Sequence, residues 1–202
     1  MAINPLPADT FPRWRVTTAP AITPITVEDV KLYGRIDGSA EDALLGQFIE
    51  GVVENAELWL TRALITQSVT MSMDEWPATK IIDLPMAAPL IGVTEVRTLD
   101  EDDAETVYAS TNYYTDIYRE PGALIMTQDS TPPTNTERDV GGYEIEYTCG
   151  FGTLATDVPY TIRLGLMMWA VIAYEDRTVA PEPPPEALKM GFGFYKLGDS
   201  FL

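Results

Sequence analysis

Carboxylates are the side chains numerous enough in this sequence to suggest chemistry. Glu50, Glu54 and Glu57 recur at helical spacing on one flank, and Glu144 and Glu146 stand two apart, on one face of a strand. Two carboxyls across a cleft, one with its pKa raised by its surroundings, are the equipment of a glycoside hydrolase. With 31 acidic residues in 202, however, coincidental pairs are expected, and spacing alone does not make a cleft. The run Asp100-Glu101-Asp102-Asp103 opens like a calcium loop, but Ala104, Glu105 and Thr111 stand where that loop needs a ligand, a glycine and a glutamate. It reads as a solvated turn. Cys149 is the single cysteine, and the sequence has no histidine to activate it, so it reads as a buried residue at a strand end. Gly150-Phe151-Gly152 has neither Walker nor dinucleotide spacing and reads as a turn between strand and helix. No catalytic residue, cofactor or metal site is expected.

Binding chemistry is concentrated at the C-terminal end. Phe192, Phe194, Tyr195 and Phe201 follow Pro181, Pro183, Pro184 and Pro185, and a segment so rich in proline cannot bury four aromatics in a core of its own. Aromatics in such a tail mark a docking element that orders on binding. The plainer alternative is a tail that packs back on its own domain. A formal charge of −18 argues against gripping DNA, RNA or anionic lipid, which are held by Lys and Arg. One cysteine excludes an intrachain disulfide framework, and no stretch reads as a signal peptide or membrane span, so a soluble product of a reducing cytoplasm is expected.

The elements that must position these residues follow from periodicity. Pro5, Pro7, Pro12, Pro20 and Pro24 make residues 1–25 an extended N-terminal arm, with Phe11, Trp14 and Val16 as anchors onto the body. Thr26 caps a helix over 26–36, with Glu28 and Asp29 in its positive first turn and Val27, Val30 and Leu32 or Ile36 on its apolar face. Ser39 or Asp42 caps a longer helix over 41–64, whose apolar stripe is wide enough to be covered on more than one side. From Thr66 the period changes to two. A β insertion over 67–149 is expected, with strands at 68–76, 80–84, 91–99, 105–109, 113–118, 122–127 and 142–149. A last helix over 159–177, with Asp157 as a candidate cap, is apolar almost all round and must lie centrally or between subunits. The fold class is α+β: a small helical bundle of two N-terminal helices and one C-terminal helix, an inserted antiparallel sheet or small barrel, and extended arms at both ends, with 178–202 as the tail.

The order of segments resembles the head–tail connector (adaptor) proteins of tailed phages, as found in siphophages and gene transfer agents. The stretch ITVEDVKLYGRIDGSAEDALL is similar to that family's opening helix pair, on Thr26, Glu28, Lys31, Arg35, Asp37, Glu41, Asp42 and Leu44. Ile49, Ala56 and the run Arg62-Ala-Leu-Ile-Thr-Gln67 match the following helix and its entry into the first strand. LPMAAPLIGVTEV, YEIEYTCGFG and VPYTIRLGLMMWAVIAYEDR resemble later family segments, so the likeness spans residues 24–177. Tyr33-Gly34 and Leu60 depart from the pattern.

Membership would imply a non-enzymatic subunit of a homo-oligomeric, dodecameric ring (connector domain 26–177) bound beneath the capsid portal in the virion neck, after assembly in the host cytoplasm. The ring would present the attachment surface for the tail or a stopper, or tail terminator, protein. DNA would pass through its channel without specific binding. On that reading Phe192, Phe194, Tyr195 and Phe201 are portal-docking anchors, and Arg35, Trp59, Arg62 and Trp169 are candidate subunit contacts. Two other readings stay open: a tail-completion protein on the tail side of the neck, and a carboxylate-dependent hydrolase or carbohydrate-binding β-domain.

Overall fold

The computed structural model describes residues 13–134, 138–177, 180, 182–189 and 191–197. These fall into two compact units, one of residues 13–19 and 67–149, the other of 20–66 and 150–197.

The first unit is built on β-strands, with one 3-10 turn at Ser110–Asn112 among its described residues. Its strands are β1 (Arg13–Thr18), β2 (Gln67–Met73), β3 (Ile81–Asp83), β4 (Leu90–Leu99), β5 (Glu105–Val107), β6 (Tyr113–Asp116), β7 (Ala123–Met126) and β8 (Tyr143–Cys149). They form two open antiparallel sheets, β1-β2-β8-β4-β5 and β3-β7-β6, so of the sheet and barrel expectations the sheet holds. Alternation fixes the faces. Pairing of Val69 with Tyr147 and Met71 with Ile145 puts four buried residues on one side, while Thr70 with Glu146 and Ser72 with Glu144 occupy the other. Part of the expected N-terminal arm is the edge strand β1, with Trp14 opposite Met71 and Val16 opposite Val69. Phe11 lies outside the described residues.

The second unit is helical: α1 (Val27–Gly34), α2 (Asp42–Leu60), α3 (Tyr160–Asp176) and the short α4 (Pro185–Lys189). Thr26 opens α1 with a reciprocal cap: its hydroxyl accepts from the Asp29 amide at 3.1 Å, and its amide donates to the Asp29 carboxylate at 2.9 Å. Ile36, rather than Leu32, is the residue that packs against the core. No side chain caps α2; Asp42 pairs with Lys31 at 2.7 Å. That helix stops at Leu60 instead of 64, because Thr61 turns left-handed (φ 57°) and the Glu57 carboxylate accepts the Leu64 amide at 2.7 Å. α3 packs against α1, α2 and α4, which explains its apolar circumference: it is the central helix of its own unit. Among the described residues no helix is long and apolar enough to cross a membrane.

Candidate docking surface at the C-terminal segment

The C-terminal segment departs from the expected extended arm. Residues 185–189 form α4 against α3, and Phe192–Tyr195 form a 3-10 turn on the same helix. Phe192 is fully buried, and its ring stacks on Trp59 of α2 with centroids 5.8 Å apart and planes 22° apart. Gly165 of α3 makes room for it, since a Cβ there would stand 2.7 Å from Phe192 Cδ2. Phe192 is therefore a core residue of this chain, a correction to its expected role as a free anchor.

Two hydrogen bonds and three cation–π contacts hold the segment that follows. Arg62, buried just beyond α2, donates from Nε to the Tyr195 carbonyl at 2.7 Å. Its guanidinium carbon lies 5.7 Å from the ring centres of both Phe151 and Tyr195, whose planes meet edge to face. The Leu197 amide donates to the Leu60 carbonyl, one of those left open at the end of α2, at 3.1 Å. Lys196 Nζ sits 4.9 Å from the Trp59 ring centre. Phe151 reaches this cluster because Gly150 (φ 124°) lets the chain run against Ile65, where a Cβ would come within 2.6 Å of backbone. From this pinned turn Phe194 projects with 91% of its surface exposed. Phe201 lies outside the described residues.

The other expected site residues separate in the same way. Trp169 is buried in the helical core, so it is no free subunit contact. Trp59 and Arg62 hold the chain's own C-terminal turn, and Arg35 is exposed at the left-handed end of α1 (φ 53°). Arg62 acting as a clamp was missed; its place directly after an apolar helix was the available signal.

The paired carboxylates do not frame a cleft. Glu144 receives Arg97 Nη2 at 2.7 Å and Nε at 2.9 Å, Glu146 receives Nη1 at 3.4 Å, and Glu95 receives Nη1 at 3.3 Å. Burial works against the charge of Arg97, but the bond to Glu144 and the surrounding carboxylates outweigh it and raise its pKa. Glu50 and Glu54 are exposed, and Glu57 caps Leu64. Asp100 Oδ1 accepts from the Asp102 and Ala104 amides, each at 2.9 Å, so the acidic run is a turn built on its own backbone. Cys149 is buried at the end of β8.

Comparison with solved structures then places this architecture. A chain from the neck of an empty gene transfer agent (GTA) particle computed with C6 symmetry is similar, with a TM-score of 0.78 and 21% identity over 92% of this chain and 96% of that one. A chain from the virion of a native GTA particle gives a TM-score of 0.77 at 22% identity, covering 92% and 95%. A chain from the neck of a native GTA particle computed with C12 symmetry gives 0.70 at 19%, covering 91% and 96%. The chain shares the fold of these particle components. The likeness runs through both units and nearly the full length of each partner. No family model and no curated protein matches the chain.

Proposed function

We propose that this chain is a head–tail connector (adaptor) subunit. It forms a dodecameric ring beneath a capsid portal, offers the surface on which the tail or its stopper attaches, and lets DNA slide through without gripping it. The observation that carries the reading is the fold match over 92% of the chain to a GTA neck component. The motif resemblance over residues 24–177 supports it independently, and the C6 and C12 symmetries of the matched necks support a ring. The role is that of a scaffold and not of an enzyme, in keeping with Glu144 and Glu146 held by Arg97 and Glu57 held by the Leu64 amide.

Portal docking centres on Phe194. A side chain exposed on a turn already pinned by Arg62, Trp59 and Leu60 loses little freedom on binding, so more of its burial appears as affinity. A net charge of −18 suits a subunit past which DNA must slide without sticking. The experiment is to mix purified chain with portal rings and sediment the mixture. One chain per portal subunit is the expected stoichiometry. A chain that ignores portal at every salt concentration overturns the reading, and one that binds only tail-side rings is a tail-completion protein instead.

A further inference from the structure

We propose that the exposed face of α1, made by Leu32, Tyr33 and Arg35, is one half of the contact between neighbouring copies of this chain. Its counterpart is the apolar ledge around Tyr114 and Tyr118 on the outer face of the three-stranded sheet. The proposal rests on the ring reading above and names the contact that closes the ring.

On α1, Val30 faces the core and is fully buried, and Leu32 lies about 200° further round the helix. Leu32 is 84% exposed and Tyr33 is exposed beside it. The next turn adds a cation. Arg35 ends the helix at φ 53°, a conformation in which glycine is the usual occupant. Its guanidinium has no partner among the described residues, although the chain has 31 carboxylates for 13 cations. Lys31 on the same helix, by contrast, is paired with Asp42. An aliphatic knob next to an unpaired guanidinium fits a surface that is apolar and acidic together.

The three-stranded sheet supplies such a surface. Its inner face buries Ile82 and Leu124, whereas the register Ile81–Ile125–Tyr114 aligns three apolar residues across the outer one. Ile81 and Tyr114 are exposed, and Tyr118, just beyond β6, is 94% exposed. Asp116 shares the outer face with Tyr114 through the two-residue period of the strand. Aromatic rings and a carboxylate are what a leucine and an arginine can both use. A second copy fits better than DNA, because Leu32 gains nothing from phosphate and the −18 charge opposes it. It also fits better than an isologous pairing, because a closed ring needs two different, complementary patches on every subunit.

The test is to place the photo-cross-linker p-benzoylphenylalanine at position 32 and assemble the chain into particle necks. Mixed heavy- and light-isotope copies then let mass spectrometry separate contacts between copies from those within one. Cross-links from position 32 to the 113–122 segment of another copy are expected. Cross-links only to other neck proteins, or to other segments, overturn the contact while leaving the connector reading intact. A chain absent from the neck overturns both. In parallel, Leu32→Glu should lower incorporation about tenfold or more without loss of fold, and Arg35→Lys should retain it; normal incorporation of Leu32→Glu also overturns the contact.

Discussion

Phe192 and Phe194 stand two residues apart and lie in opposite environments, one buried and one exposed. Phe192→Ala opens a cavity between Trp59 and Gly165 and should cost about 3–5 kcal/mol, read from urea unfolding. Phe194→Ala removes an exposed ring and should change stability by no more than about 0.5 kcal/mol while portal attachment is lost. Equal losses of stability in both variants would refute the division. Cutting the chain after Arg177 would therefore test folding as much as docking, since it removes Phe192 from the core. Arg62→Met should free the turn, and trypsin should then cleave at Lys196 faster while the helical signal persists. The aromatic character of the tail was legible in the sequence, but the burial of Phe192 was not. That depends on a slot between Trp59 and Gly165, residues far apart in the chain and brought together by tertiary packing.

Elements were legible where local chemistry decides them. Thr26 with Asp29 announced the start of α1, and alternation of Val69, Met71 and Met73 announced β2. The end of α2 was not legible, because the stop lies in contacts that Glu57 and Thr61 make after the chain turns, against good helix formers in sequence. Nor could strand alternation divide the strands between two sheets, since register is set between strands. Gly165→Ala in α3 tests how element and tail fit. Helix propensity would gain about 1 kcal/mol, yet the new methyl meets the body of the Phe192 ring. Net destabilisation of about 1–3 kcal/mol is expected, relieved when Phe192→Leu is added. A more stable Gly165→Ala would show that the turn is loosely seated. On β8, burial and then the proximity of Cys149 push the Tyr147 phenol well above its ordinary value, and its hydroxyl donates to the Pro85 carbonyl at 2.5 Å. The folded state thus holds this proton more tightly than the unfolded chain. Its contribution is complete below about pH 10 and is lost as pH rises toward the folded value. Urea midpoints should fall above about pH 10, and less steeply in Tyr147→Phe, with Tyr108, Tyr113 and Tyr174 supplying the remaining slope.

At the scale of the whole molecule, charge and fold support one account. A −18 subunit should show no appreciable affinity for duplex DNA at low salt, and added salt should weaken the repulsion and never abolish a tight complex. Tight binding at low salt that disappears at high salt, by gel shift, would contradict a non-gripping channel. The fold class was legible because segment order and capping residues are written locally, whereas the proposed contact between copies rests on exposed residues such as Leu32 that no periodicity marks as functional. The most direct measurement is an image of the particle neck by electron cryo-microscopy, with this chain located by a small C-terminal tag. The account predicts a closed ring of this fold between portal and tail, with the Phe194 turn against the portal. A neck without the chain, or the chain seated only on the tail-side rings, would contradict it.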